Sequence, residues 1–278
     1  MPEASAESFA TRSHSDTAQA LDPNVPNVAR MYDYMLGGKE NYASDRAAVA
    51  KLIEMAPSLP VAARLNREFL GRAVRFVASQ GVTQFLDIGA GLPTQDSVHQ
   101  VAQAVAPDAT VIYVDNDPVV LSHSRALLDG VPRVAVVAGD VRDPAGIIAD
   151  LQVRGMIDFS RPVCVLLVAL LHFVTDEQDP ASLIAAFRGA MMPGSYLIFS
   201  HATVDGLPPQ LASRSDDAER VYDSATASVT LRDAAGVGAL LDGFTLIEPG
   251  LVHVSQWRPP VPVSYEFDAF LAAVGRRD

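Results

Sequence analysis

The chain has 278 residues, enough for one large domain or two small ones, and its 49% hydrophobic content allows a sizeable buried core. Its 33 acidic against 21 basic side chains leave a formal charge of −12, which disfavours a nucleic-acid substrate, because neutralising phosphates needs basic patches. The lone cysteine, Cys164, excludes an internal disulfide and a cysteine metal cluster, so no metal site is expected. No apolar run reaches membrane-spanning length, and the Ser-, Ala- and Asp-rich start lacks the charged and apolar regions of a signal peptide. The expectation is a cytoplasmic protein without a membrane partner.

Residues 1–25 read as a disordered tail, poor in large apolar groups. The pattern over 26–82 is helical. Val28, Met31, Tyr32 and Met35 fall at helical spacing before Gly37-Gly38 stops the first helix. Ala47, Val49, Leu52 and Ile53 mark a second, ended near Pro57, and Leu65, Phe69, Ala73, Phe76 and Val77 a third, ended near Gly81. This extension reads as a lid over the crevice that the following residues, 83–278, should build.

Phe85, Leu86 and Ile88 suit a buried strand. Gly89 and Gly91 follow at once, then a helical pattern through Val98, Val101, Ala102 and Val105. Strand, glycine turn and helix make the phosphate- or nucleoside-binding corner of a doubly wound sheet. The third glycine of the dinucleotide fingerprint is missing, with Pro93 and Thr94 in that stretch, and Asp87 sits inside the strand end. A second strand, Thr110–Val114, ends in Asp115-Asn116-Asp117-Pro118. A third, Val134–Ala138, ends in Gly139-Asp140-Val141, and a fourth, Val163–Ala169, ends near His172. One aspartate alone is a helix cap or a solvated turn. Asp87, Asp115 and Asp140 on three successive strands instead point to a ligand at the carboxyl ends, with Asp115 placed to hold ribose hydroxyls.

Pro180–Met192 then reads as a helix and Tyr196–Ser200 as a fifth strand. Leu207–Ala225 is hard to read and is a candidate for substrate contacts. A helix near Leu231–Leu241 precedes Phe244–Glu248, Pro249-Gly250 and Leu251–Val254, a strand–turn–strand pattern, and 261–278 should close the fold with a short helix. The expected architecture is α/β: a Rossmann-like, doubly wound, seven-stranded and mostly parallel sheet with an antiparallel last strand.

The segments LDIGAGLPT, VDNDP, GDVRDP and PGSYLIFSH resemble the successive motifs of class I S-adenosylmethionine-dependent methyltransferases. The runs PNVARMYDYMLGGKENYASDRAA, QFLDIGAGLPT, VIYVDNDPVVL, DFSRPV and PGSYLIFSHAT are more specific. They resemble an actinobacterial family of S-adenosyl methyltransferases long catalogued as a domain of unknown function. The likeness runs from about Pro26 to Trp257.

The resemblance implies the fold and S-adenosylmethionine as cofactor, and it supplies no substrate; the expected acceptor is a small molecule, such as a hydroxyl or amine of a secondary metabolite. Gly89 and Gly91 would let the backbone meet the methionine part. Asp115, with Asn116, would hold the ribose. Asp140 would accept from the adenine amino group while the Val141 N–H meets a ring nitrogen, and Asp87 would lie near the ammonium or sulfonium. Tyr34, Gly37, Gly38 and Tyr42 would close over the same ligand; for the two tyrosines helix-on-helix packing is an equal alternative. His172, in a run resembling the His-x-x-x-Asp-Glu stretch of some small-molecule O-methyltransferases, is the candidate general base, although a packing role is the commoner one for such a histidine. His201 is a weaker second candidate with a turn-stabilising role. A nicotinamide dehydrogenase fits less well, given the missing glycine and Asp140. A regulatory or scaffold protein that binds S-adenosyl ligands without catalysis is the alternative from a different class.

Overall fold

The computed structural model describes residues 22–93, 97–205, 215–261 and 268–278. Residues 1–21 of the expected tail, Thr94, and the first part of the Leu207–Ala225 stretch lie outside the described residues.

Three helices come first: α1 (Val28–Met35), α2 (Ala43–Met55) and α3 (Leu59–Ser79). Asn27 starts α1 by accepting the Ala29 and Arg30 N–H groups at 3.0 and 3.1 Å. A buried ion pair joins α1 to α2, with Arg30 Nε 2.8 Å from Asp45 Oδ2. Asp45 also accepts the Asn27 and Tyr42 backbone N–H groups, at 2.8 and 2.7 Å, so the carboxylate is fully engaged. The Tyr42 ring lies 4.8 Å from the Arg30 guanidinium and covers it.

Five strands run parallel in the order β3-β2-β1-β4-β5: β1 (Gln84–Ile88), β2 (Thr110–Asp115), β3 (Val134–Ala138), β4 (Cys164–Val168) and β5 (Tyr196–Ala202). Between them lie α4 (Val98–Val105), α5 (Pro118–Leu128), α6 (Pro144–Val153) and α7 (Pro180–Ala190). Three of these helices start by one device. The side chains of Asp117, Asp143 and Asp179 accept first-turn N–H groups, and Pro118, Pro144 and Pro180 follow at the position whose N–H has no helical partner.

Alternate residues of each strand feed two cores. Phe85, Val111 and Ile198 pack with Phe69 and Val77 of α3 and Val98 of α4, while Leu86, Ile112 and Phe199 pack with Leu151 of α6 and Phe187 of α7. α3 also sends Ala63 into a third cluster with Met31, Val49 and Leu52. The boundary expected at residue 82 thus follows a helix that is part of the main core as well as of the cluster with α1 and α2. With both faces covered, the carboxyl ends of the strands are left as the place for a ligand.

The C-terminal part differs from expectation in two ways. It contains α8 (Ser215–Asp223), α9 (Ala234–Leu240), β6 (Thr245–Leu246), β7 (Val252–His253) and β8 (Phe270–Arg276). The closing segment is thus a strand instead of a short helix. β8 lies antiparallel beside β5 along its whole length, from Tyr196↔Arg276 to Ala202↔Phe270. Nor do β6 and β7 form a hairpin with each other. Both pair with the far edge of β8, at Thr245↔Arg276 and Val252↔Ala272, so β8 is added to the seven expected strands and the sheet has eight. Phe270–Val274 is buried on both faces, and such a continuous apolar run shows no period that separates strand from helix. Among the described residues no helix is long and apolar enough to cross a membrane.

Candidate active site

A cavity of about 780 Å³ opens at the strand ends, between the sheet and the α1–α3 roof. That lies within the range of small-ligand sites, roughly 300–1,000 Å³. Of the residues expected at the cofactor, Asp87, Gly89, Gly91, Asp115, Asn116, Asp140 and Val141 all line it, and His172 lines it as well.

The glycine turn has its conformation for stated reasons. Gly89 sits at φ +69° and Gly91 at φ +65°, in the left-handed region. A Cβ at Gly89 would also lie 2.4 Å from Leu170 Cδ1, so the loop after β4 closes directly on this turn. Asp115 ties the turn to β2: its Oδ2 accepts the Gly91 N–H at 3.0 Å and its Oδ1 the Asp117 N–H at 2.9 Å. One step along the sheet, Asp140 Oδ1 accepts the backbone N–H and the Nε of Arg142, both at 2.9 Å, and its Oδ2 accepts Asn116 Nδ2 at 3.2 Å. These hydrogen bonds and the arginine hold the Asp140 carboxyl below its usual pKa although its partial burial acts the other way.

Asp87 and Asp115 behave oppositely. Burial pushes Asp87 up to about 7; the nearby Arg67 opposes the rise and Asp115 adds to it. Burial likewise lifts Asp115 to about 6, against the Asp117 and Gly91 N–H bonds.

Arg67 escaped the sequence reading. It lies on α3 beside Asp87, and its Nε is buried with no hydrogen-bond partner. Its neighbours on the cavity show the signal that marks it. Leu59, Ala63, Asn66, Arg67 and Leu70 line the cavity, and their spacing is one helical stripe interrupted by a polar pair. Asn66 is held in place: Ser200 Oγ donates to its Oδ1 at 2.7 Å, and its Nδ2 donates to the Tyr32 hydroxyl at 2.9 Å.

The roof explains why four expected residues lie elsewhere. α1 lines the cavity with Val28, Ala29, Tyr32, Asp33 and Met35, one face of a helix, followed by Leu36 just beyond its end. Tyr34, two positions from Tyr32, points away and is 37% exposed. Tyr42 covers Arg30 instead of the cavity, as helix packing would have it. Gly37, at φ +81°, ends the helix, and Gly38 accommodates Asp33: a Cβ there would sit 1.9 Å from Asp33 Oδ1. Asp33 Oδ2 in turn accepts the Glu40 N–H and Asn41 Nδ2, each at 2.9 Å, so the glycine pair serves the loop and does not line the cavity.

Opposite the carboxylates the wall is aromatic. Phe173 and Phe270 face it, as does Tyr222 of α8, from the stretch that sequence alone left unread. His172 lies in a turn after β4 and is 5% exposed; burial, with His201 and Arg232 nearby, holds its pKa well below the ordinary imidazole value. His201 is outside the cavity lining. Both its nitrogens are engaged, Nδ1 with the Ala202 carbonyl at 2.6 Å and Nε2 with Arg232 at 2.8 Å, and burial brings it down to about 4. Arg232 also donates to the Val174 carbonyl at 3.0 Å and to Asp176 at 2.6 Å, clamping the turn that carries His172. His201 thus acts in structure, as part of that clamp.

A parallel sheet closed by an antiparallel strand, with a glycine turn and carboxylates on successive strand ends, defines the class I methyltransferase architecture. The profile of the S-adenosyl methyltransferase family matches residues 14–278, and the chain belongs to that family. It is 40% identical to a Thermobifida fusca protein provisionally described as a methyltransferase, over 91% of this chain and 96% of that one, with a TM-score of 0.84. It is 38% identical to a DUF574 family protein of Streptomyces avermitilis, over 92% and 99% of the two chains, with a TM-score of 0.86. No curated protein matches it. The protein is therefore an S-adenosylmethionine-dependent methyltransferase.

Proposed function

We propose that this protein methylates a small molecule, in the cytoplasm, within the cavity under the α1–α3 roof. The observation that carries the reading is the continuity of that cavity, which joins the strand-end carboxylates to the aromatic wall around His172.

The residues present suit the cofactor. Asp115 keeps a lone pair on each carboxylate oxygen beyond its backbone bonds, enough to accept both ribose hydroxyls. Asp140, braced by Arg142 and Asn116, would take the adenine amino group, with the Val141 N–H on the ring. Arg67, which lines the cavity beside Asp87, would hold the carboxylate of the methionine end, and Asp87 the positive charge next to it. Tyr34, Gly37, Gly38 and Tyr42 have no part in this arrangement.

Bound S-adenosylmethionine supplies an electrophilic methyl group on a sulfonium. The chain's share is then to bring an acceptor in line and keep water out, work that suits the α1 and α3 side chains above the site. The test is calorimetry with S-adenosylhomocysteine, followed by turnover on a panel of hydroxylated and amino acceptors. Loss of cofactor binding in the parent protein refutes the reading. Tight binding with no acceptor converted would favour a regulatory protein that binds S-adenosyl ligands.

A further inference from the structure

On that cofactor reading, the acceptor half of the cavity is walled by rings. Tyr222, Phe173, His172 and Phe270 form an unbroken run with successive centroids 5.9, 4.2 and 6.0 Å apart, and all four line the cavity. Among the described residues, the two lining arginines stand with the carboxylates, Arg67 beside Asp87 and Arg142 bonded to Asp140. A flat apolar ring finds stacking partners at this wall.

His172 decides what that ring carries. The Ala202 backbone N–H donates to its Nδ1 at 3.4 Å, so Nδ1 is the accepting nitrogen and Nε2 holds the hydrogen. Nε2 makes no hydrogen bond with the described residues and is not among the sealed, unpartnered nitrogens, so it is open to the cavity that the ring lines. The groups facing the ring oppose a second proton. Burial disfavours it first, His201 and Arg232 add to that, and the Asp176 carboxylate is engaged with Arg232. His172 therefore presents a donor and has no free basic nitrogen. A donor aimed at an amine would occupy the single lone pair that must receive the methyl group. A phenolate oxygen has three lone pairs, so it accepts the hydrogen bond and still attacks.

The geometry points to a planar phenol as the acceptor, methylated on oxygen as its phenolate, with His172 donating its Nε2–H to that oxygen instead of removing its proton. The phenol loses its proton to solvent. An oxygen lone pair then forms the bond to the methyl carbon while the carbon–sulfur bond breaks with its electron pair on sulfur. Phenolate and sulfonium thus become a neutral ether and a neutral thioether, and no charge is stranded beside the aromatic wall.

The test uses the full chain loaded with sinefungin, a cationic cofactor analogue with no methyl group to give. The ionisation of bound 4-nitrophenol and 7-hydroxycoumarin is followed by phenolate absorbance. Each should ionise at lower pH than in free solution. His172→Gln, which keeps a side-chain N–H donor, should preserve the shift, and His172→Ala should lose it. With S-adenosylmethionine, His172→Ala should lower turnover of 2-naphthol roughly 10²-fold, as loss of one preorganised donor does, and the pH–rate midpoint should move with the acidity of the phenol. Four results overturn the assignment: phenols that do not bind, bound phenols that ionise as they do in water, a midpoint independent of the phenol, or preference for 2-naphthylamine over 2-naphthol. Calorimetry with S-adenosylhomocysteine on the parent and both variants separates the two readings. Retained binding with any of those four results refutes this acceptor alone, and no binding by the parent refutes the cofactor reading too.

Discussion

Asp115 Oδ2 accepts the Gly91 N–H at 3.0 Å, so the carboxylate that ends β2 also sets the glycine turn that ends β1. On the proposed cofactor arrangement, binding of the ribose and shaping of the methionine-facing loop would depend on one side chain.

Asp115→Ala should weaken S-adenosylhomocysteine binding by about 1.5–3 kcal/mol for each charge-assisted bond lost. Because the turn loosens too, the loss should exceed that of Asp140→Ala, whose partners Arg142 and Asn116 are outside the turn. Calorimetry on the two variants measures the difference, and equal losses would separate the turn from the ribose site.

The pH dependence follows from Asp87, lifted to about 7, and Asp115, lifted to about 6. A carboxyl whose folded pKa is raised binds its proton more tightly in the folded state. Its stabilisation is full below the unfolded value, near 4, and is lost as pH rises through 6 to 7. The ligand-free protein should accordingly melt at lower temperature at pH 8 than at pH 5, and Asp87→Asn should flatten that slope. S-adenosylmethionine, a cation, should bind more tightly over the same rise, by up to about tenfold per pH unit for each proton released. A melting series and calorimetry across pH 5–8 check both signs.

Asp45→Ala should cost about 3–5 kcal/mol, the usual effect of stranding one partner of a buried ion pair, here Arg30. The Asn27 and Tyr42 N–H groups lose their acceptor in the same step. Urea unfolding gives the number; a loss below about 1 kcal/mol would mean that the roof is hydrated.

Gly38→Ala should displace the Asp33 carboxylate and free the Glu40 and Asn41 groups bonded to it. Hydrogen exchange should then quicken through the loop after α1. In the parent protein, exchange in α1 should slow when S-adenosylhomocysteine is added, because that helix lines the cavity. Unchanged α1 exchange would make the helix plain scaffold instead of a lid.

Local pattern was enough for the first five strands, for α4, α5 and α7 between them and for the carboxylates at their ends. Asp117-Pro118 and Asp179-Pro180 specify a helix start within a few residues, and alternation along Phe85-Leu86 specifies two buried faces. Those signals act over one turn or one strand, so a single sequence displays them. The tertiary structure alone decided the closing strand. Phe270–Arg276 is apolar without a period, and only the long edge offered by β5 makes it a strand. It also decided which roof residues face the ligand, because helix phase, and not closeness to a motif, brings Tyr32 and Arg67 to the cavity and leaves Tyr34 outside. The surroundings of His172 were decided the same way. That a histidine follows β4 is plain from the sequence, but its burial, which lowers its pKa, and its contacts with the Ala202 N–H and Arg232, 30 and 60 residues further along, belong to the tertiary structure.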